Sequence, residues 1–203
     1  MTVPDTAPRN DPGLHPAGVG HRVAICDYGA GNVRSVLAAF RRLGADARAT
    51  RDPADVLAAD LAVLPGVGSA RSAMAGLRAA GLDEALSVRV AAGRPTLGIC
   101  LGLQLALEES EEDGGVAGLG LLPGRARRLR EGRVPRMGWA PVEPDGEAFY
   151  FAHSYAAETP AAVARSEGIV AVAQAGSFLG VQFHPEKSGP AGARFLARCL
   201  SRA

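Results

Sequence analysis

Apolar residues come in short runs through the first half of the chain, separated by stretches where they recur every three or four positions. Arg22 to Tyr28 (RVAICDY) is short, apolar and bounded by Gly29, which predicts a buried strand. Val33, Val36, Leu37, Phe40 and Leu43 follow at helical spacing, with Gly44 as the C-cap. Asp46 to Thr50 reads as a second, outer strand. Leu61 to Leu64 reads as a third, buried one, ending at Pro65-Gly66-Val67-Gly68. Two helical stretches fill Ser69 to Ala92. Pro95 to Ile99 predicts another strand, running directly into Cys100-Leu101-Gly102-Leu103-Gln104 and an apolar helix that ends in the acidic run Glu108 to Asp113.

The pattern changes after Gly114. Short β-prone segments now dominate: Arg125 to Leu129, Ala148 to His153, Ala161 to Ala164, Ile169 to Ala173 and Phe178 to Phe183. They read as antiparallel strands added to the same sheet, and Ala191 to Leu200 as a closing helix. The expected fold is α/β, with a mixed, mainly parallel central sheet flanked by helices and an antiparallel extension. Residues 1–20 hold four prolines and three glycines with little apolar material, and read as a flexible extension. Residues 21–203 form the single expected domain.

Composition narrows the function. A net charge of +1 creates no overall field for nucleic acid or an anionic membrane. No apolar run is long enough to span a bilayer, and the first residues lack a signal peptide's pattern. The three cysteines, Cys26, Cys100 and Cys199, are widely spaced without a Cys/His cluster. That argues against a disulfide framework or a metal site, and for a reducing cytoplasm. No cofactor is expected. Five arginines between Arg125 and Arg133 read as a solvated strand and turn, with a docking face for an acidic partner or phosphate as the alternative. Among 22 Lys and Arg residues only Lys187 is lysine.

In Gly98-Ile99-Cys100-Leu101-Gly102 a strand ends on a cysteine framed by glycines, and a helix begins at once. This is a nucleophile elbow with Cys in place of Ser. The helix N-terminus favours thiolate, and the Leu101 N–H points where an oxyanion would form. His184-Pro185-Glu186 supplies a base and a group to orient it, giving the triad Cys100, His184, Glu186. His153 reads as a pocket wall or an interior residue. Pro65-Gly66-Val67-Gly68 either presents a backbone N–H or is a plain strand-to-helix turn.

At these residues the chain resembles the class I (triad) glutamine amidotransferases, whose fold is flavodoxin-like. The resemblance runs from Arg22 to about Ala203 and rests on GICLG with Gln104, and on QFHPEKS. DYGAGN from Asp27, PGVG, PRMGW and YFAHSY make it most similar to the glutaminase subunits of imidazole glycerol phosphate synthase. The resemblance implies release of ammonia from glutamine through a Cys100 thioester. It implies an oxyanion hole from Gly66, Val67 and Leu101, and glutamine binding by Gly68, Gln104, Ser154 and Tyr155. It further implies a heterodimer with a (β/α)₈ cyclase subunit, docked on Tyr28, Asn32, Met137, Trp139 and Lys187. Arg136 and Ala140 depart from the family's usual histidine and asparagine. The alternatives are a glutaminase subunit of another synthase, a stand-alone cysteine hydrolase and a non-catalytic binding subunit.

Overall fold

The computed structural model describes residues 20–29 and 32–203. The extension expected over residues 1–20 lies outside the described residues apart from Gly20. Strand β1 (Arg22–Cys26) buries all but its first residue. Helix α1 (Val33–Arg42) turns Val36, Ala39 and Phe40 inward. Strand β2 (Asp46–Thr50) lies parallel to β1 on the outside. Helix α2 (Pro53–Ala58) starts on Asp52, whose carboxylate accepts from the Ala54 N–H at 2.8 Å. Pro53 takes the first helical position, where no N–H is needed. Strand β3 (Leu61–Leu64), helices α3 (Ala70–Ala79) and α4 (Leu82–Ala91), and strand β4 (Thr96–Ile99) continue the alternation. Helix α5 (Leu101–Leu105) begins one residue after β4.

The second half contains β5 (Glu109–Ser110), β6 (Val116–Ala117), β7 (Arg125–Arg128), β8 (Arg136–Val142), β9 (Glu147–His153), β10 (Tyr155–Glu158), β11 (Ala162–Ser166), β12 (Ile169–Ala175) and β13 (Phe178–Val181). Helix α6 (Gly189–Leu200) closes the fold. The central sheet has seven strands in the order β11-β12-β13-β4-β3-β1-β2. From β13 to β2 every pair is parallel, while β12 and β11 are antiparallel. The expected α/β class with a mainly parallel sheet is therefore what the chain adopts.

Two expectations need correction. The later strands do not all join that sheet. β10, β7, β5 and β6 form a separate sheet, and β8 with β9 forms a two-stranded hairpin. The hairpin lies over the core, with Ala140, Val142, Phe149 and Phe151 buried against Ile99 and Val181. Alternating apolar residues are better buried by covering a sheet face than by extending its edge. The acidic run does not end a helix either, because α5 stops at Leu105. Glu112 and Asp113 instead accept from the Ala70 and Arg71 N–H groups, at 2.9 and 3.2 Å. Carboxylates there satisfy first-turn donors and face the positive end of α3.

At the opposite end of the sheet Arg89 is completely buried. Its guanidinium donates to the carbonyls of Val56, Ala59, Asp60 and Pro95 at 2.7 to 2.9 Å. Burial, then the neighbouring Arg94, lowers its pKa to about 10, so it stays charged at neutral pH. The side chain ties α2 to the starts of β3 and β4. Arg89→Met should destabilise the fold by about 3–5 kcal/mol, since several buried carbonyls lose their donor at once. Urea unfolding checks this, and a loss below about 1 kcal/mol would contradict it.

Candidate active site

Four neighbouring parallel strands end at one edge and deliver four chain segments there. β13 leads to His184, β4 to Cys100, β3 to Pro65-Gly66-Val67-Gly68, and β1 to Tyr28. Ligands of open α/β sheets sit at the carboxyl ends of the strands. Cys100 holds φ 53° and ψ −105°, a left-handed conformation that costs a non-glycine residue strain. Its N–H donates to the Val181 carbonyl at 2.7 Å, pinning the turn to β13.

Glycine makes the turn possible. A Cβ on Gly102 would collide with the Leu64 carbonyl oxygen. A Cβ on Gly66 would lie 2.8 Å from Gly102 N, and one on Gly98 2.6 Å from Phe178 Cζ. The PGVG loop therefore packs directly on the elbow. Gly68, at φ 96°, has open space around it. Cys100 is the residue that precedes the first turn of α5.

His184 is buried, and its Nδ1 lies 2.8 Å from Glu186 Oε1. Asn32 Nδ2 donates to the same carboxylate oxygen at 3.2 Å. The His184 carbonyl accepts from Ser188 Oγ at 2.7 Å, and the His184 N–H donates to the Tyr150 carbonyl at 2.8 Å. Phe183, one residue earlier, stacks on Phe149 at 4.1 Å and meets Phe195 edge-on at 5.3 Å. The ring thus stands on a rigid base. Burial alone would lower the His184 pKa. The neighbouring Cys100 and the hydrogen-bonded Glu186 outweigh burial and raise it to about 9. This raised pKa contributes stability that is complete below about pH 6.5 and lost as pH rises through 9.

A cavity of about 310 Å³ opens over the sulfur. Val67, Gly68, Leu101, Gln104, Ser154 and Tyr155, all singled out in the sequence, line it. Gln104 spends its side-chain N–H groups on the Tyr155 carbonyl at 2.7 Å and Gln182 Oε1 at 3.1 Å. Only its own oxygen is left to face a ligand.

Three neighbours were missed in the sequence. Gln182 Nε2 donates to Cys100 Sγ at 3.6 Å. The Ala152 carbonyl lies 3.8 Å from the same sulfur. Glu112 adds a carboxylate to the cavity wall, and burial raises its pKa. His153 also lines the cavity, with Nδ1 2.9 Å from the Tyr155 carbonyl. Burial, with Arg136 and His184 nearby, lowers its pKa to about 4, so it is neutral.

Of the expected docking residues, Met137 and Trp139 are 64% and 59% exposed on the outward face of the hairpin. Lys187 is exposed and Asn32 half-buried. Tyr28 is only 5% exposed and belongs to the same core cluster as Leu64, Met74 and Leu101. Arg136 also turns inward, binding Ser166 Oγ and Glu167 Oε2 at 2.8 and 2.9 Å and lying 4.3 Å over the Phe151 ring.

The five-arginine segment borders a larger groove of about 1070 Å³ that reaches neither Cys100 nor His184. Arg127 pairs with Glu158 there at 3.0 Å, while Arg125 pairs with Glu109 at 3.3 Å. The other two thiols are buried, which raises both Cys26 and Cys199 to about 12. Among the described residues no cluster could hold a metal ion, and no helix is long and apolar enough to cross a membrane.

An elbow cysteine beside an oriented imidazole, on this sheet order, defines a class. The family model described as glutamine amidotransferase class-I matches residues 24–203. In fold, the chain is similar to a crystal structure of a glutamine amidotransferase, with a TM-score of 0.73 at 21% identity over 89% of this chain and 99% of that one. It is also similar to PurLQS from Thermotoga maritima, with a TM-score of 0.69 at 18% identity over 90% and 98%. The chain belongs to the class I glutamine amidotransferase family, among the HisH-like members. It is 48% identical to imidazole glycerol phosphate synthase subunit HisH of Methanothermobacter thermautotrophicus, over 84% of this chain and 93% of that one. It is 46% identical to the HisH subunit of Symbiobacterium thermophilum, over 87% and 92%.

Imidazole NMR should find His184 titrating near pH 9 and His153 neutral down to about pH 4. Glu186→Gln removes an upward influence and should move the His184 midpoint down. A His184 midpoint near 6.5 in the native protein would contradict the proposed pairing.

Proposed function

We propose that this chain is the glutaminase subunit of an imidazole glycerol phosphate synthase, acting in histidine biosynthesis. The observation that carries the reading is Cys100 at a strained elbow, on the strand beside the one that delivers a His184 held by Glu186 at 2.8 Å, in a chain 48% identical to a HisH subunit.

The Cys100 thiolate attacks the side-chain amide carbon of glutamine. The N–H groups of Leu101 and of the Gly66–Val67 segment face the oxyanion. His184, charged at neutral pH, gives its proton to the departing nitrogen, and ammonia leaves. Water then adds to the glutamyl thioester while His184 takes its proton. The C–S bond breaks, releasing glutamate and restoring the thiolate. Glu186 stabilises the imidazolium at each stage. Gln182 donates to the sulfur and helps to hold it in place. Glu112 gives the cavity a negative group suited to the α-ammonium of glutamine, and Gly68, Gln104, Ser154 and Tyr155 shape the remainder.

Ammonia passes to a (β/α)₈ cyclase partner, to which the ring-forming lyase step belongs. Met137, at the cavity, and Trp139, two residues further along the same strand, are large exposed apolar groups that suit a docking face. Lys187 and Asn32 flank it. The heterodimer and a cytoplasmic setting are part of this proposal.

Glutamate release should rise strongly when a cyclase loaded with its nucleotide ligand is added. Cys100→Ala should lower it by at least about 10³-fold, with or without the partner. Full activity without any partner would move the reading to a stand-alone hydrolase.

A further inference from the structure

Tyr28 has a second, internal role to offer. Its hydroxyl donates to the Pro65 carbonyl at 2.5 Å, in the interior. Burial, then Cys26 and Cys100, pushes its pKa above the ordinary phenol range, so the group remains a donor across the working pH range. The backbone is held as well, because a Cβ on Gly76 of α3 would collide with the Tyr28 carbonyl oxygen. Tyr28 is therefore a fixed post on which Pro65 is hung.

Pro65 opens the PGVG loop. Its neighbour Gly66 is wedged against Leu101 and Gly102, as the missing Cβ requires. Gly68, at the other end, has φ 96° and open space. The loop is thus anchored at its start and uncrowded at its end. The peptide units between them belong to a loop whose Val67 and Gly68 line the cavity beside Cys100. A rotation at Pro65 would carry through to all of them.

We infer that Tyr28 is a positioning residue of the glutaminase site: its hydroxyl fixes the Pro65 carbonyl and so aims the Gly66–Val67 N–H groups at the oxyanion. The inference rests on the glutaminase reading given above. A donor aimed at charge that develops only in the transition state affects turnover and leaves substrate binding alone. The same strand-to-helix connection also reaches the far side of the site, where Asn32 donates to Glu186. The segment after β1 therefore touches both the proposed oxyanion loop and the proposed base.

Tyr28→Phe removes one oxygen and keeps the ring, and is the test. Glutamine hydrolysis would be measured on the chain in complex with ligand-loaded cyclase, beside the native chain and Cys100→Ala. The expected result is a kcat about tenfold lower with KM changed less than about twofold. Alkylation of Cys100 by iodoacetamide forms no oxyanion, and its rate should stay at the native value. Native kcat in Tyr28→Phe, with Cys100→Ala inactive, would overturn the role of Tyr28 and leave the glutaminase reading standing. Parallel loss of hydrolysis and alkylation would also overturn it, by showing general disruption of the site. Hydrolysis that survives Cys100→Ala would instead sink the glutaminase reading itself.

Discussion

Cys100 can hold a left-handed backbone only because its surroundings leave out side-chain atoms at Gly66, Gly98 and Gly102. Gly102 lets the first turn of α5 lie on the last carbonyl of β3. Gly66 brings the next loop against that same turn. Two adjacent strand ends are thereby locked into one rigid corner. A methyl group at any of the three positions would push apart backbones that have nowhere to move. The strain at Cys100 is held by contacts of this kind, which is the general condition for a strained residue to persist.

Sheet order does the rest of the assembly. β4 lies between β13 and β3, so the sulfur has the imidazole on one side and the glycine loop on the other. The hairpin of β8 and β9 covers this edge and brings the Ala152 carbonyl to the sulfur. An aromatic stack of Phe149, Phe183 and Phe195 fastens the hairpin, the approach to His184 and helix α6 together. Such pairs add about 0.5–1.5 kcal/mol each beyond their burial. The imidazole is placed by packing first and by its hydrogen bonds second.

Much of this was legible in local patterns. The alternation of short apolar runs with helical spacing gave the parallel half-sheet, and the glycine frame around Cys100 gave the elbow. These signals involve residues within a few positions of each other. Gln182 and Glu112 were not legible as site residues. Gln182 meets Cys100 only because β13 pairs with β4, and Glu112 reaches the cavity by capping a helix that begins at Ala70. The burial of Tyr28 follows the apolar run that precedes it, but its bond to Pro65 joins the ends of two strands 37 residues apart and left no local signal. The separate sheets were missed because alternation reports which residues face inward and is silent about which strand lies alongside.

The burial of Cys26 and Cys199 has a practical reach. Both thiols stay protonated at neutral pH and are closed to solvent within the core. The folded chain therefore presents a single addressable sulfur, the one that opens on the cavity. A fluorophore or crosslinker with a mild electrophile would attach there alone, giving a conjugation handle without removing any native cysteine. Attachment at either remaining thiol would report transient opening of the core, so the pair also serves as an internal gauge of how tightly the fold stays closed.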